Sequence, residues 1–235
     1  MRYRLIGVLG GMGPAATVHF LDLLVRLVKA SRDQEHARWV ALCDPTIPDR
    51  SEAILSGGES PLGAMVEGAL RLKSAGAELL AMPCNTAHLW AEEVQRAVEL
   101  PMVSIVKATL KGVRSLGFRS ALLLSTEATA RSGLYQRFAP LFGVKLYLPG
   151  FEEQQGVNEV IRLVKAGDLA GARGVLGRLL PPLREAYPFE CVVGGCTEIP
   201  LVFDGRWAPF VDSSSELAKA ALALSRGEEV GELLV

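Results

Sequence analysis

The sequence predicts an α/β protein: two similar lobes with parallel sheets flanked by helices, related by a pseudo-twofold, with an active site in the cleft between them. Three observations predict it. Short apolar, β-branched runs alternate with longer helical patterns along the chain, as in parallel α/β units. The apolar runs are nearly continuous, as expected where helices cover both faces of a sheet. The order of features in the first half also returns in the second: strand, polar turn, helix, then a strand running into a cysteine with threonine close behind. This occurs once as "PCNT" (83–86) and once as "GGCTE" (194–198).

Strands are expected at 3–10, 39–44, 77–83, 101–106, 120–126, 144–149 and 190–195. Helices are expected at 14–31, 60–75, 87–98, 105–116, 130–140, 153–166, 168–186 and 214–226. The last follows "SSSE" (213–216), a capping-box pattern ahead of "LAKAALAL". Residues 1–103 with 208–235 are expected to form the first lobe, and 104–207 the second.

A chain of 235 residues has ample apolar material for such cores. With 25 basic and 26 acidic residues, its net charge of −1 gives no electrostatic case for a nucleic-acid or anionic-membrane partner. The N-terminal "MRYRLIGVLGGMGP" begins basic and apolar, but four glycines interrupt it and no small-residue cleavage site follows, so it reads as a first strand and turn. No run approaches the ~18 apolar residues of a membrane span. A cytoplasmic protein is expected.

Four cysteines (Cys43, Cys84, Cys191, Cys196) are too few for a disulfide scaffold and follow no CxxC spacing. With His19, His36 and His88 they suggest no metal set. Cys43 and Cys191 lie inside apolar runs and read as small buried hydrophobes. Cys84 and Cys196 differ, because polar residues follow each at a strand end, where ligands bind in open parallel sheets. A pseudo-twofold would bring both thiols to one cleft. Cys84 would precede the helix at 87–98, whose unpaired N–H groups favour an anion. Two thiols flanking one carbon supply a base on one face and an acid on the other, as inversion of a stereocentre requires.

"GGMGPAAT" (10–17) satisfies G-x-G-x-x-A through Gly11, Gly13 and Ala16, with Asp44 at the second strand's end as a ribose-binding acid, so a dinucleotide site is one alternative. The other is a tight turn with Pro14 at the first helical position. In "PTIPDR" (45–50), Asp49 and Arg50 read as a solvated loop pair, unless the loop overhangs the cleft and Arg50 offers a planar fork to a carboxylate. Lys165 reads as a helix-end lysine meeting the dipole, and His88 as a packing residue at a helix start, with a reserve role in tuning the thiol.

Taken in order, "GGMGPAAT", "IPDR", "PCNTAH", "SGLYQ", "VNEVI…VKAG" and "GGCTEIPL" resemble the aspartate racemase branch of the aspartate/glutamate racemase superfamily, over nearly the whole chain. "GGMGP", in place of the "DSG" of glutamate racemases, favours the aspartate branch. The resemblance implies a cofactor-independent two-base racemase of an acidic amino acid, commonly a homodimer. It implies Cys84 and Cys196 as the acid/base pair, with Asn85, Thr86, Thr126 and Thr197 binding substrate. Arg50 and Lys165 are implied as carboxylate ligands, and Met12 as the floor of the site. "STEAT" (125–129) departs from the pattern where a glycine is expected near Ala128, leaving roles for both Thr126 and Thr129 open. Two other readings stand beside this one. One is an isomerase or decarboxylase of the superfamily using a single cysteine; the other is an oxidoreductase or regulatory module binding a dinucleotide.

Overall fold

The structure, a computed structural model, describes residues 3–235. The chain divides into two compact units, Met1–Ala108 with Ser214–Val235, and Thr109–Ser213.

The first unit contains β1 (Ile6–Gly10), α1 (Pro14–Arg26), β2 (Trp39–Cys43), α2 (Arg50–Leu55), α3 (Leu62–Ser74), β3 (Leu79–Ala81) and α4 (Ala91–Val98). Its sheet runs β2-β1-β3 with every pair parallel, and Val8 is in register with Ala41 on one side and Ala81 on the other. The central β1 and its neighbour β3 are buried along their whole length, which explains their unbroken apolar character. Helix α5 (Ile105–Ser115) carries the chain into the second unit. There follow β4 (Ser120–Leu124), α6 (Glu127–Arg131), α7 (Leu134–Phe138), β5 (Lys145–Tyr147), α8 (Phe151–Lys165), α9 (Leu169–Ala186), β6 (Cys191–Gly194) and β7 (Phe210–Asp212). This sheet, β5-β4-β6-β7, is also wholly parallel. Helix α10 (Ser213–Ser225) returns the chain to the first unit.

The α/β reading holds, with local corrections. The run 101–106 forms no full strand: it makes two isolated bridges, Leu80 to Met102 in parallel and Val103 to Leu234 in antiparallel. Ser104 then turns the chain, its Oγ accepting from Lys107 N, while His88 Nε2 accepts from Ile105 N, and α5 begins there. Two short elements were not expected, α2 and β7. Both lie beside prolines, and each is too short to show a period. The single helix expected at 130–140 is broken at Gly133, whose φ of +71° ends α6 and opens α7. The one expected at 87–98 is a 3-10 turn (Thr86–Trp90) followed by α4.

Candidate active site

In the first unit every strand delivers a candidate residue just beyond its carboxyl end, as open parallel sheets do. After β1 the chain makes the turn Gly10–Gly13 and enters α1 at Pro14. Thr17 holds this turn: its hydroxyl accepts from Gly11 N at 2.9 Å and donates to Gly13 O at 2.9 Å. A Cβ on Gly10 would collide with the Thr17 side chain, and one on Gly11, where φ is +96°, with the Asp44 backbone. The glycines therefore serve close packing of the turn on Thr17 and Asp44. Asp44 accepts from Thr46 N and Oγ1, and these bonds hold its carboxyl below the usual range. The Asp44 side chain is thus engaged in a local turn.

Met12 is buried and shares one apolar cluster with Ile47, Met82 and Cys84. Beyond β2, the sequence reading of Asp49 and Arg50 as a solvated pair is corrected. Asp49 caps α2, its Oδ1 accepting from Ser51 N and Glu52 N. Arg50 is buried. Its Nη1 donates to the carbonyls of Ile47 and Pro48, both at 3.0 Å, while its Nε is buried without a hydrogen-bond partner. A buried guanidinium with an unmet donor on its Nε edge is prepared for a planar acceptor such as a carboxylate.

Beyond β3 lie Cys84, Asn85 and Thr86, all buried. Cys84 N donates to Met82 O in a tight turn. His88 braces the same segment, and through the backbone, where the sequence reading held a role on the thiol in reserve. Because Ile105 N donates to His88 Nε2 at 3.1 Å, that nitrogen is the unprotonated one, and Nδ1–H donates to the Cys84 carbonyl at 2.8 Å. Burial lowers the His88 pKa, which keeps the imidazole neutral.

In the second unit, β4 leads to Thr126, the cap of α6. Its Oγ1 accepts from Thr129 N at 3.1 Å and donates to Thr129 Oγ1 at 3.0 Å, so the two threonines form one hydrogen-bonded pair. Helix α8 clasps this loop: Gln154 Nε2 donates to Ser125 O, and Asn158 bonds both the backbone N and the carboxylate of Glu127. Lys165, the last residue of α8, is exposed.

β6 leads through Gly195 to Cys196, Thr197 and Glu198, all buried. Cys196 Sγ donates to Glu198 Oε2 at 2.9 Å. Burial pushes the Cys196 thiol well above its ordinary range, the Glu198 carboxylate adds to this, and the Lys165 ammonium opposes it. Sequence reasoning missed Glu198. The available signal was a glutamate wedged between the run 191–195 and "IPL" (199–201), where no solvated charge is expected. It also gave no role to Tyr135, fully buried, whose phenol bonds the Thr109 side chain and whose pKa is raised by burial.

The other cysteines are set apart by their surroundings. Cys191 is buried inside β6, 3.7 Å from Ser120 O, its thiol pushed up to about 12 by burial. Cys43, read as buried, is exposed because β2 is the edge of its sheet. Among the described residues no cluster of side chains fits a metal ion, and no helix is long and apolar enough to cross a membrane.

The chain is similar in sequence to the broad specificity amino-acid racemase RacX of Bacillus subtilis, 30% identical over 225 residues, covering 93% of this chain and 97% of that one. In structure it is similar to the aspartate racemase of Picrophilus torridus, with a TM-score of 0.84 and 33% identity over 96% of this chain and 95% of that one. It also matches an aspartate racemase homologue from Pyrococcus horikoshii, with a TM-score of 0.76 and 27% identity over 95% of this chain and 99% of that one. Residues 9–221, from the end of β1 into α10, match the sequence pattern of the Asp/Glu/Hydantoin racemase family, to which this chain belongs.

Proposed function

We propose that the protein is a cofactor-independent racemase of an acidic amino acid, aspartate before glutamate, in which Cys84 and Cys196 are the two acid/base groups. The observation that carries the reading is the matched placement of two buried thiols. Each lies just beyond the carboxyl end of a parallel strand, and each is followed by buried polar residues. One thiolate removes the α-proton and the other thiol returns a proton to the opposite face. The intermediate is carbanionic, so donors on its carboxylate lower the barrier. Arg50, with its unmet Nε, is assigned to a carboxylate, and Lys165 to the other carboxylate of an acidic substrate. Asn85, Thr86, Thr126 and Thr197 are assigned to the remaining polar atoms of the substrate, and Met12 to the apolar floor. A cytoplasmic homodimer is the form assigned to the enzyme; light scattering on the purified protein tests the dimer.

The aspartate racemase among the similar proteins supports the substrate class, and the broad-specificity relative names the competing outcome. Single amino acids incubated with protein and resolved by chiral chromatography decide between them. Racemisation of aspartate above all others is expected. Broad turnover of neutral amino acids would remove Arg50 and Lys165 as the basis of selectivity. Cys84→Ser and Cys196→Ser should each abolish racemisation, because each direction needs both groups. Ordinary racemisation of both enantiomers by either variant would sink the two-base mechanism.

A further inference from the structure

We propose that Glu198 is the proton relay of Cys196, taking the thiol's proton whenever this cysteine is to act as a base; the inference rests on the two-thiol reading above. The distance between Cys196 Sγ and Glu198 Oε2 is 2.9 Å, against 3.7 Å for the ordinary thiol contact that Cys191 makes with Ser120 O. Glu198 is only 3% exposed, and the Thr197 hydroxyl donates to the same oxygen at 3.5 Å. A buried carboxylate is thus aimed at one of the two sulfur atoms whose protonation the reaction requires to change.

The arrangement presents a difficulty that the relay resolves. Burial and a neighbouring negative charge both oppose a thiolate at Cys196. A lone thiol there would be held as an acid. If Glu198 accepts the proton, the S–H bond breaks, an Oε2–H bond forms and the electron pair stays on sulfur. In this transfer the pair keeps one proton and one negative charge, and that charge passes to the substrate only when the thiolate takes up the α-proton. The thiolate then removes the substrate α-proton, leaving a thiol beside a protonated Glu198. In the reverse direction the thiol gives its proton to the carbanion, and the resulting thiolate is held by the Glu198 O–H. In neither direction does a thiolate stand against a carboxylate. The other groups that bear on Cys196 fit this cycle: the Lys165 ammonium from the end of α8 offsets the pair's single charge, and the Tyr135 phenol of α7 is kept neutral by burial. Asp212, at the end of β7, acts on Tyr135.

The test uses full-length wild type, Glu198→Gln and Glu198→Asp, each checked for folding by circular dichroism. Two readouts are taken across pH: racemisation by chiral chromatography, and alkylation of Cys196 by iodoacetamide, followed by mass spectrometry. In Glu198→Gln the negative charge is gone, so alkylation should begin about one pH unit lower or more. Racemisation near neutrality should nevertheless fall by a factor on the order of 10². It should regain activity as pH rises, a limb that wild type lacks, because the thiol must now lose its proton to solvent. Glu198→Asp keeps a proton acceptor and should recover part of the loss. More thiolate with less turnover separates a relay from a residue that only packs or only repels. Racemisation by Glu198→Gln within about twofold of wild type refutes the relay, and so does an unmoved alkylation profile. A wild-type protein that racemises no amino acid overturns the functional reading instead; the alkylation profiles still decide whether Glu198 controls the thiol's proton.

Discussion

A neutral imidazole at position 88 ties the carbonyl of Cys84 to the amide of Ile105, and all three residues are buried. Replacing His88 by leucine removes the donor to the Cys84 carbonyl and the side-chain acceptor of the Ile105 amide. The expected cost is on the order of 2–3 kcal/mol in chemical denaturation. The pH dependence has a definite sign. Burial lowers the folded-state pKa of His88 below its ordinary 6.5, so between the folded value and about 6.5 the unfolded chain binds a proton that the folded chain does not. The stability from a neutral His88 is complete above about pH 6.5 and is lost as pH falls below it. His88→Gln should flatten that acid-side loss when urea midpoints are compared at pH 7, 6 and 5; an equally steep loss in the variant would show that other groups cause it. Arg50 allows a second residue-scale prediction. Lysine at this position cannot bond both the Ile47 and Pro48 carbonyls and still present a fork, so Arg50→Lys should lower kcat/KM for an acidic substrate by about tenfold or more with the fold retained. Near-wild-type kinetics would take Arg50 out of the site.

Among elements, the turns that follow β1 and β6 place the candidate chemistry, and both rely on glycine for close approach. A Cβ on Gly195 would strike the Leu123 side chain and come within 3.3 Å of Ser125 Cβ, while one on Gly194 would meet the Phe210 ring at 2.7 Å. Gly195→Ala should therefore destabilise by about 1–3 kcal/mol through overpacking and displace Cys196. Thermal melts read the first effect, and the loss of activity at temperatures where the variant is folded reads the second. Helix α2 offers a gentler case. Asp49→Ala removes the side-chain acceptor for Ser51 N and Glu52 N, at about 1 kcal/mol, and frees the start of the helix that carries Arg50. A rise in KM larger than the change in kcat is the expected outcome. Unchanged steady-state constants would show that Arg50 is held by its carbonyl contacts alone.

For the whole molecule, the reading requires that protein groups alone move the proton. Activity should survive dialysis against EDTA and hydroxylamine. Restoration of a lost activity by a metal or by pyridoxal phosphate would overturn this reading. The candidate thiols are part of two separate hydrophobic clusters, one holding Met12, Met82 and Cys84, the other Leu124, Val192 and Cys196. Peroxide that oxidises both should silence the enzyme, and a thiol reductant should restore it where oxidation has stopped at sulfenic acid or disulfide.

The alternation of apolar runs with helical patterns was enough to determine an α/β protein, because a strand buried on both faces must be apolar throughout. Order and spacing of motifs such as "GGMGP", "PCNTAH" and "GGCTE" were enough to point to the family, since each sits where a parallel strand ends and a turn begins. Short elements escaped: α2 and β7 span too few residues to display a period, and the run 101–106 reads as a strand until His88 captures the Ile105 amide and Ser104 that of Lys107. Side-chain partnership across sequence distance was beyond reach as well. That Arg50 is buried, that Thr126 bonds Thr129 and that His88 grips a backbone carbonyl all depend on which atoms packing brings within 3.5 Å, and on which donors are shut off from water. Glu198 is the clearest instance. Its letter beside Cys196 indicates a charge near a thiol, but only the tertiary structure buries both and turns the carboxylate onto sulfur at 2.9 Å.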